Sequence, residues 1–420
     1  MIDIKLIREK PELVKESLKK RLLDVKIVDK LLELDQEWRN LKKEGDEFRS
    51  NRNKISEQIN LAKKKKEKID KLIKEAREIP NRLAKIEGKS LIVEQRRLGI
   101  WKNIPNIIDK SVPAGDANKN KVLKVYGKPT KKLEKGHAEL MEELGLIDTV
   151  KAGEVAGSRF YYLKGDLVKL NHAIIDFALD FLSKKKFTLI QTPYMLNRKA
   201  LEGAITLDAF EEAIYKIEGE DLYLIGTAEH AINAYKSNEI LNLKDLPLRF
   251  AGFSTNFRKE LGSHGKDTKG ILRVHQFEKI EQFIFCTPEQ AEKEFDLILD
   301  NSVQLYKALE IPFRVVLLAA GEASKTATKT IDLECWFPGQ KAYRELGSCS
   351  NCSDYQARRS NIRFQDKELK FVYTLNNTAI ATERMMTCIV ENHIQKSGEI
   401  KIPKALWKYT GFKAIKPKTK

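Results

Sequence analysis

The feature that most restricts what this chain can fold into is a pair of apolar seams separated by four consecutive lysines. From Ile27 the first seam steps by four and three residues through Leu31, Leu34, Trp38, Leu41, Gly45, Phe48, Arg52, Ile55, Ile59 and Ala62, and nine of these eleven positions are apolar. The second runs through Ile69, Leu72, Ala76, Ile79, Leu83, Ile86, Ser90, Val93, Arg97 and Ile100, with eight of ten apolar. Such steps are heptads, which bury a narrow stripe of a long helix against a partner helix. Lys63, Lys64, Lys65 and Lys66 lie between the seams, too polar to bury, and suit the tip of an antiparallel hairpin. Helices of about 36 residues would project roughly 50 Å, which describes an arm and not a domain core. Pro80 and Gly88 predict a kink or break in the second helix. Residues 1–24 predict one short helix, starting after Asp3, at the base of the arm.

Charge follows the same division. Residues 1–110 hold 30 basic and 20 acidic side chains, residues 396–420 hold 8 and 1, and residues 111–395 are balanced at 39 of each. A neutral body with two basic ends points to a polyanionic partner. A dimerising coiled coil or a solvated spacer would explain the lysines as well. However, two short seams joined at a basic tip can satisfy each other within one chain, which frees the outer face for phosphate. The longest apolar run, near residues 315–320, is far below the roughly 18 residues a spanning helix needs. Charges throughout the first ten residues leave no apolar signal segment, so a cytoplasmic location is expected, with no membrane partner. The five cysteines are too few and odd in number for a disulfide framework and read as reduced thiols.

Residues 104–126, with Pro105, Pro113 and the Ala114-Gly115-Asp116 turn, read as a linker into the body. Strand-like runs lie beyond it at 160–163, 222–225, 250–255, 282–286, 313–318, 329–337 and 371–376, with helix-like stretches at 166–186, 288–310 and 378–396. Successive strands with few crossover helices indicate a mostly antiparallel sheet. The expected fold class is therefore α+β, with residues 1–110 as a helical arm and residues 111–420 as the body, ending in a basic tail.

The densest cluster of charged, aromatic and glycine residues is 257–281, which reads as strand, glycine loop (Gly262, Ser263, His264, Gly265, Lys266) and strand. A hairpin of this kind can bring Arg258 and Arg273 to a phosphate and a Phe face to a ring. The loop fails the Gly-Lys-Ser/Thr pattern of the triphosphatase P-loop, so any nucleotide site here is of another kind. Cys349 and Cys352 lack a second Cys-x-x-Cys at zinc spacing, and the six histidines show no ligand pairing or triad.

This stretch resembles motif 2 of the class II aminoacyl-tRNA synthetases, in the version carried by the seryl-tRNA synthetases. Other pieces agree in order: Thr192-Pro193 resembles motif 1 with its dimer-interface proline, and Gly226-Thr227-Ala228-Glu229 resembles the serine-binding loop. Glu345-Leu346-Gly347-Ser348 with Cys349 to Cys352 and Gln356-Ala357-Arg358-Arg359 resembles the ATP-side strand and loop, and Leu375 to Arg384 resembles motif 3. The motif 3 pattern, with Asn377, Ala379 and Thr382, is closer to archaeal and eukaryotic forms. Gly347 departs from the serine that many relatives carry.

The resemblance implies a class II body plus arm, and activation of L-serine by ATP with Mg²⁺. It also implies transfer of serine to tRNA(Ser), and to tRNA(Sec) where present, by a homodimer. By resemblance Arg258, Glu281 and Arg384 are the catalytic residues, and Thr227, Ala228, Glu229, Arg258, Glu281 and Thr378 bind serine. ATP falls to Arg258, Lys259, Glu260, Arg273, Val274, Phe277, Glu345, Leu346, Gly347, Ser348 and Arg384, and Mg²⁺ to Glu345 and Ser348, since hard cations take oxygen. The tRNA contacts are expected at Lys63, Lys64, Lys65, Lys66, Lys68 and Lys71. Two rivals fit less well. A ligase that loads a carrier protein would lack the arm, and a silent RNA-binding paralogue would have lost Arg258, Glu281 or Arg384.

Overall fold

A computed structural model of the protein describes residues 1–129, 133–206, 213–260 and 269–417. The glycine loop expected at 261–268, with Gly262, His264, Gly265 and Lys266, and the last tail lysines, Lys418 and Lys420, lie outside the described residues. The chain divides into two compact units, one of Ile2–Lys19 and Leu23–Ile104, the other of Met1, Lys20–Leu22 and Pro105–Lys420.

The first unit is helical: α1 (Ile4–Glu9), α2 (Pro11–Lys20), α3 (Lys26–Lys64) and α4 (Asp70–Asn103). The single helix expected over residues 1–24 is in fact two. Asp3 caps the first by accepting from the Lys5 N–H. Pro11 then stops it, because the residue before a proline is driven out of the α region, and Lys10 sits at φ −135 and ψ 58. α3 and α4 form the hairpin, and every seam residue except the exposed Arg52 is buried or half-buried. At its start the α3 stripe turns by one position, so that Val28 and Asp35 are buried where Ile27 and Leu34 were expected.

Asp35 tolerates full burial because Arg8, Arg97 and Arg39 reach it at 2.7, 2.8 and 3.2 Å. Burial pushes its carboxyl up, and the arginines outweigh this and hold it below the usual range. Arg97 in turn lies 4.2 Å over the Trp38 ring.

The break expected at Pro80 and Gly88 does not occur, and α4 runs unbroken through both. Both residues are exposed, so water can reach the carbonyl that loses its donor, while Ile79 and Leu83 stay buried in the seam. Lys63 and Lys64 close α3, Lys65 caps it and Lys66 turns at φ +57, all exposed along with Lys68 and Lys71. Cations at a helix C-terminus are electrostatically favoured.

The second unit is built on eight strands: β1 (Lys121–Tyr126), β2 (Thr188–Gln191), β3 (Leu248–Phe257), β4 (Gln276–Cys286), β5 (Phe313–Leu317), β6 (Lys329–Phe337), β7 (Ala342–Asn351) and β8 (Tyr373–Ala381). They lie in the order β1-β5-β6-β7-β8-β4-β3-β2, antiparallel throughout except for β2 against β3. Helices pack against this sheet, among them α5 (Asp166–Lys184), α6 (Ala228–Tyr235), α7 (Ala291–Ala308) and α8 (Thr382–His393). One sheet face, with Ile331, Leu333, Cys349 and Leu375, joins the core made by Ile174 of α5, Phe295 and Ile298 of α7, and Ile389 of α8.

Two expectations fail here. The linker read over 104–126 ends in β1, whose pairing with β5 supplies a strand partner that a local pattern cannot reveal. The helix read over 378–396 begins only at Thr382, because Thr378 to Ala381 continue β8 opposite Glu281 to Lys279 of β4. Among the described residues no helix is long and apolar enough to cross a membrane.

Candidate active site

Alternation along three neighbouring strands sets the polar face. β4 contributes Phe277, Lys279 and Glu281, β7 contributes Leu346, Ser348 and Ser350, and β8 contributes Asn376 and Thr378 to one cavity of about 350 Å³. Thr378 stands directly opposite Glu281, and Asn376 opposite Ser350. Residues between these point the other way: Asn377 and Gln282 both hydrogen-bond to the Ile298 carbonyl and the Ser302 hydroxyl of α7.

α6 reaches this face because Gly252 of β3 has no side chain. A Cβ there would come within 2.7 Å of Ile232 and 3.0 Å of Ala228. The close approach carries Thr227, the N-cap of α6, to Glu281. Its hydroxyl accepts from the Glu229 N–H and donates to Glu281 Oε2 at 3.3 Å, and Thr378 Oγ1 donates to the same oxygen at 3.5 Å. Lys279 pairs with Glu281, and neither is exposed. Glu229 lines the cavity, and burial together with the charge of Glu281 pushes its carboxyl up to about 7.

The cations hold fixed positions. Arg258 donates from Nε to the Gly226 carbonyl at 3.1 Å and lies 5.2 Å over the Phe277 ring; burial lowers its pKa. Arg273 pairs with Glu260 at 2.5 Å, and Arg384 with Glu345 at 3.0 Å. Desolvation pushes the Glu345 carboxyl up, while Arg384 outweighs it and keeps it below the usual range. His230 is buried and neutral, its pKa lowered to about 3 by burial and by Arg258 and Lys279.

Of the residues singled out in the sequence, Glu229, Arg258, Glu260, Arg273, Val274, Phe277, Glu281, Glu345, Leu346, Ser348, Thr378 and Arg384 line the cavity. Thr227 lines an adjoining one of about 440 Å³, which shares Glu229 and Arg258. Ala228, Lys259 and Gly347 line neither. Ala228 is fully buried against β3, and the Lys259 N–H is taken up by the Ala213 carbonyl. Lys279, Asn376 and Glu383 line the cavity without having been singled out. Lys279 was within reach, since it alternates with Phe277 and Glu281, whereas Glu383 lies in the motif 3-like stretch beside Arg384 and was given no role there. Its carboxyl, raised to about 7 by burial, receives the Glu278 N–H and the Tyr161 hydroxyl.

The antiparallel sheet and the elements packed on it gather these arginines and carboxylates around one cavity, where fixed cations can hold a polyphosphate. Residues 212–393 match the sequence profile of the tRNA synthetase class II core domain (G, H, P, S and T), and residues 1–108 that of the seryl-tRNA synthetase N-terminal domain. The chain is 46% identical to a serine–tRNA ligase of Nitrosopumilus maritimus, over 98% of this chain and 99% of that one. Its fold matches a seryl-tRNA synthetase from Pyrococcus horikoshii complexed with ATP, at 45% identity and a TM-score of 0.92 over 100% of both chains. A cytoplasmic serine–tRNA ligase from Naegleria fowleri in complex with AMP matches at 38% identity and a TM-score of 0.86, over 100% of this chain and 99% of that one. The chain belongs to the seryl-tRNA synthetase family.

The glycine at 347 has a local explanation. A Cβ there would meet the Tyr306 hydroxyl at 2.8 Å and the Thr378 carbonyl at 3.0 Å, on the side of the sheet away from the cavity. Gly347→Ser should therefore destabilise the fold by roughly 1–3 kcal/mol, and Tyr306→Phe should recover part of that loss in the double variant. Denaturation midpoints of the four proteins test this; equal losses with and without Tyr306→Phe would show that the hydroxyl is not the obstacle.

Proposed function

We propose that this protein joins L-serine to ATP, giving seryl-adenylate and diphosphate, and then transfers serine to the 3′ end of tRNA(Ser), and of tRNA(Sec) where that tRNA occurs. The observation that carries the reading is the short-range grouping of Glu281 with two hydroxyls, Thr227 and Thr378, beside Arg258, which lines both adjoining cavities. A single carboxylate flanked by small hydroxyls suits an amino acid bearing one hydroxyl. Alanine would leave these groups unpaired, and threonine would need room for a methyl group, a discrimination of only about 1–3 kcal/mol.

Both steps are attacks by oxygen at a centre crowded with negative charge, so positioning and charge neutralisation dominate. The serine carboxylate oxygen attacks the α-phosphorus and diphosphate leaves. The 3′-terminal ribose hydroxyl of the tRNA then attacks the acyl carbon and AMP leaves. Arg258 holds the serine carboxylate beside the α-phosphate with a planar fork that stays cationic. Glu229 and Thr227 receive the ammonium, and Glu281 with Thr378 the hydroxyl. Phe277 and Arg384 sandwich the adenine, Glu260 approaches its amino group, and Arg273 meets the γ-phosphate. Val274 and Leu346 complete the walls.

A divalent cation suits the oxygen donors Glu345 and Ser348. Beside them Asp332, directly opposite Ser348, keeps a buried oxygen without a hydrogen-bond partner. Mg²⁺ held by Glu345 and Ser348 would neutralise phosphate charge when bound.

The pH dependence follows from Glu229. It must be ionised to hold an ammonium, and its carboxyl titrates near 7 under opposing influences: burial and Glu281 raise it, Lys279 and Arg258 lower it. The KM for serine should therefore fall as pH rises from about 6 to about 8, and Glu229→Gln should flatten that limb. Stability runs the other way: the folded carboxyl keeps a proton that the unfolded chain releases near 4.5, so this contribution is full below that pH and is lost as pH rises through about 7. Calorimetry of the ligand-free protein checks the sign.

Subunit pairing is proposed through the segment of Thr192 and the exposed Pro193 at the edge beyond β2, giving a cytoplasmic homodimer. Light scattering should return twice 48.2 kDa, and a fully active monomer would contradict the pairing.

The arm supplies the tRNA test. The exposed Lys63, Lys64, Lys65, Lys66, Lys68 and Lys71 offer contacts to an RNA backbone read by shape. Deleting residues 30–100 and rejoining the helices should leave serine-dependent pyrophosphate exchange nearly intact. Aminoacylation should fall by orders of magnitude and the salt slope of tRNA binding should flatten. Charging at close to the intact rate would make the arm a spacer.

A further inference from the structure

Glu229 is held from behind by a chain of fully buried amide and hydroxyl groups. Gln356, on the short helix Tyr355–Ser360, donates from Nε2 to Glu229 Oε1 at 2.6 Å and to the Ala204 carbonyl at 3.1 Å. Thr374 of β8 donates from Oγ1 to Gln356 Oε1 at 2.6 Å. Two residues along the same strand, Asn376 Nδ2 reaches Glu229 Oε1 at 3.1 Å. These partners come from three separated stretches of chain.

The chain of bonds has a direction. An amide nitrogen only donates and an amide oxygen only accepts. The hydroxyl at one end of Gln356 and the carbonyl at the other therefore fix which end faces Glu229. The reversed amide would set its oxygen against both the Glu229 carboxylate and the Ala204 carbonyl, and would cost a buried unsatisfied pair. Both donors to Glu229 converge on Oε1, which leaves Oε2 for a ligand.

The charged and titratable groups around this carboxylate are Glu281 and Lys279 of β4, Arg258 after β3, and the Cys352 thiol, whose Sγ accepts from Asn376 at 3.6 Å. Glu281 opposes ionisation of Glu229, and the neutral amide of Gln356 favours it without adding a charge that would compete for an ammonium.

We propose that Thr374 and Gln356 are positioning residues for amino-acid recognition: the hydroxyl locks the amide, and the amide holds Glu229 as an oriented acceptor for the ammonium of serine. This rests on the reading of Glu229 as the ammonium ligand. It adds that recognition depends on two residues which touch no substrate.

The test is ATP–pyrophosphate exchange with Thr374→Val, a change of shape too small to disturb the strand, and with Thr374→Ser, which restores the hydroxyl. Thr374→Val should raise the KM for serine by about tenfold or more, keep the KM for ATP within about twofold, and move the serine pH limb to higher pH. Thr374→Ser should stay within about twofold of the parent on both substrates. Should Thr374→Val fail to fold, Gln356→Met removes the donor itself and is read in the same way. Serine and ATP KM values rising together, or an unchanged serine KM, would overturn the proposal.

Glu229→Gln separates the two layers. An unchanged serine KM in that variant refutes the ammonium reading and the positioning role with it. A raised KM supports the reading, and Thr374→Val should then add nothing on the Glu229→Gln background; a further full rise there would refute the positioning role alone.

Discussion

The chemistry of this molecule depends on a two-residue repeat along β4 and along the paired stretches of β7 and β8, which bulges at Leu346 and Ala379 interrupt. One face of these strands is spent on hydrocarbon, with Ile280, Cys349 and Leu375 in the core shared with α7 and α8. The other carries the residues of the cavity. Because the period is two, a slip of one residue in any of these strands would exchange the faces, burying Lys279 and Glu281 in the core and exposing Ile280. The pairing of Thr378 with Glu281 is therefore enforced by the apolar side of the sheet as much as by any polar contact. Gly252 extends the same logic to the neighbouring helix, since its bare backbone lets α6 bring Thr227 to Glu281.

The polar face would be costly if its charges stood alone. Arg273 is paired with Glu260, Arg384 with Glu345 and Lys279 with Glu281. Pairs of this kind contribute little net stability once desolvation is counted, so they are better understood as devices that keep cations in place. A polyphosphate entering such a site exchanges one set of anions for another at side chains already ordered. Glu229 is held differently: its hydrogen-bond donors are neutral amides, and its carboxyl sits near 7.

Some of this is legible in the sequence. The motif spacings pick out most of the cavity-lining residues, and the heptads pick out the hairpin, because both are periodic or contiguous. The hidden part depends on distant partners. Nothing near Asp35 announces that Arg8 and Arg97 will make its burial tolerable, so the heptad seam at the start of α3 lies one residue away from the true stripe. Pro80 looks like a break until its exposure and the buried Ile79 and Leu83 are seen. The strand β1 is an edge strand with mostly exposed side chains, and only its pairing with β5 distinguishes it from a linker. Gln356 and Thr374 lie 18 positions apart and meet only because a short helix returns to β8.

The central claim is that the cavity formed by these strands selects serine for adenylation. ATP–pyrophosphate exchange measured for each of the twenty amino acids tests it most directly. Serine should give the highest kcat/KM, with threonine weaker by about 10–200-fold and alanine, which leaves the Glu281 cluster unpaired, weaker still. Exchange driven better by any other amino acid, or none with serine at saturating ATP, would contradict the account.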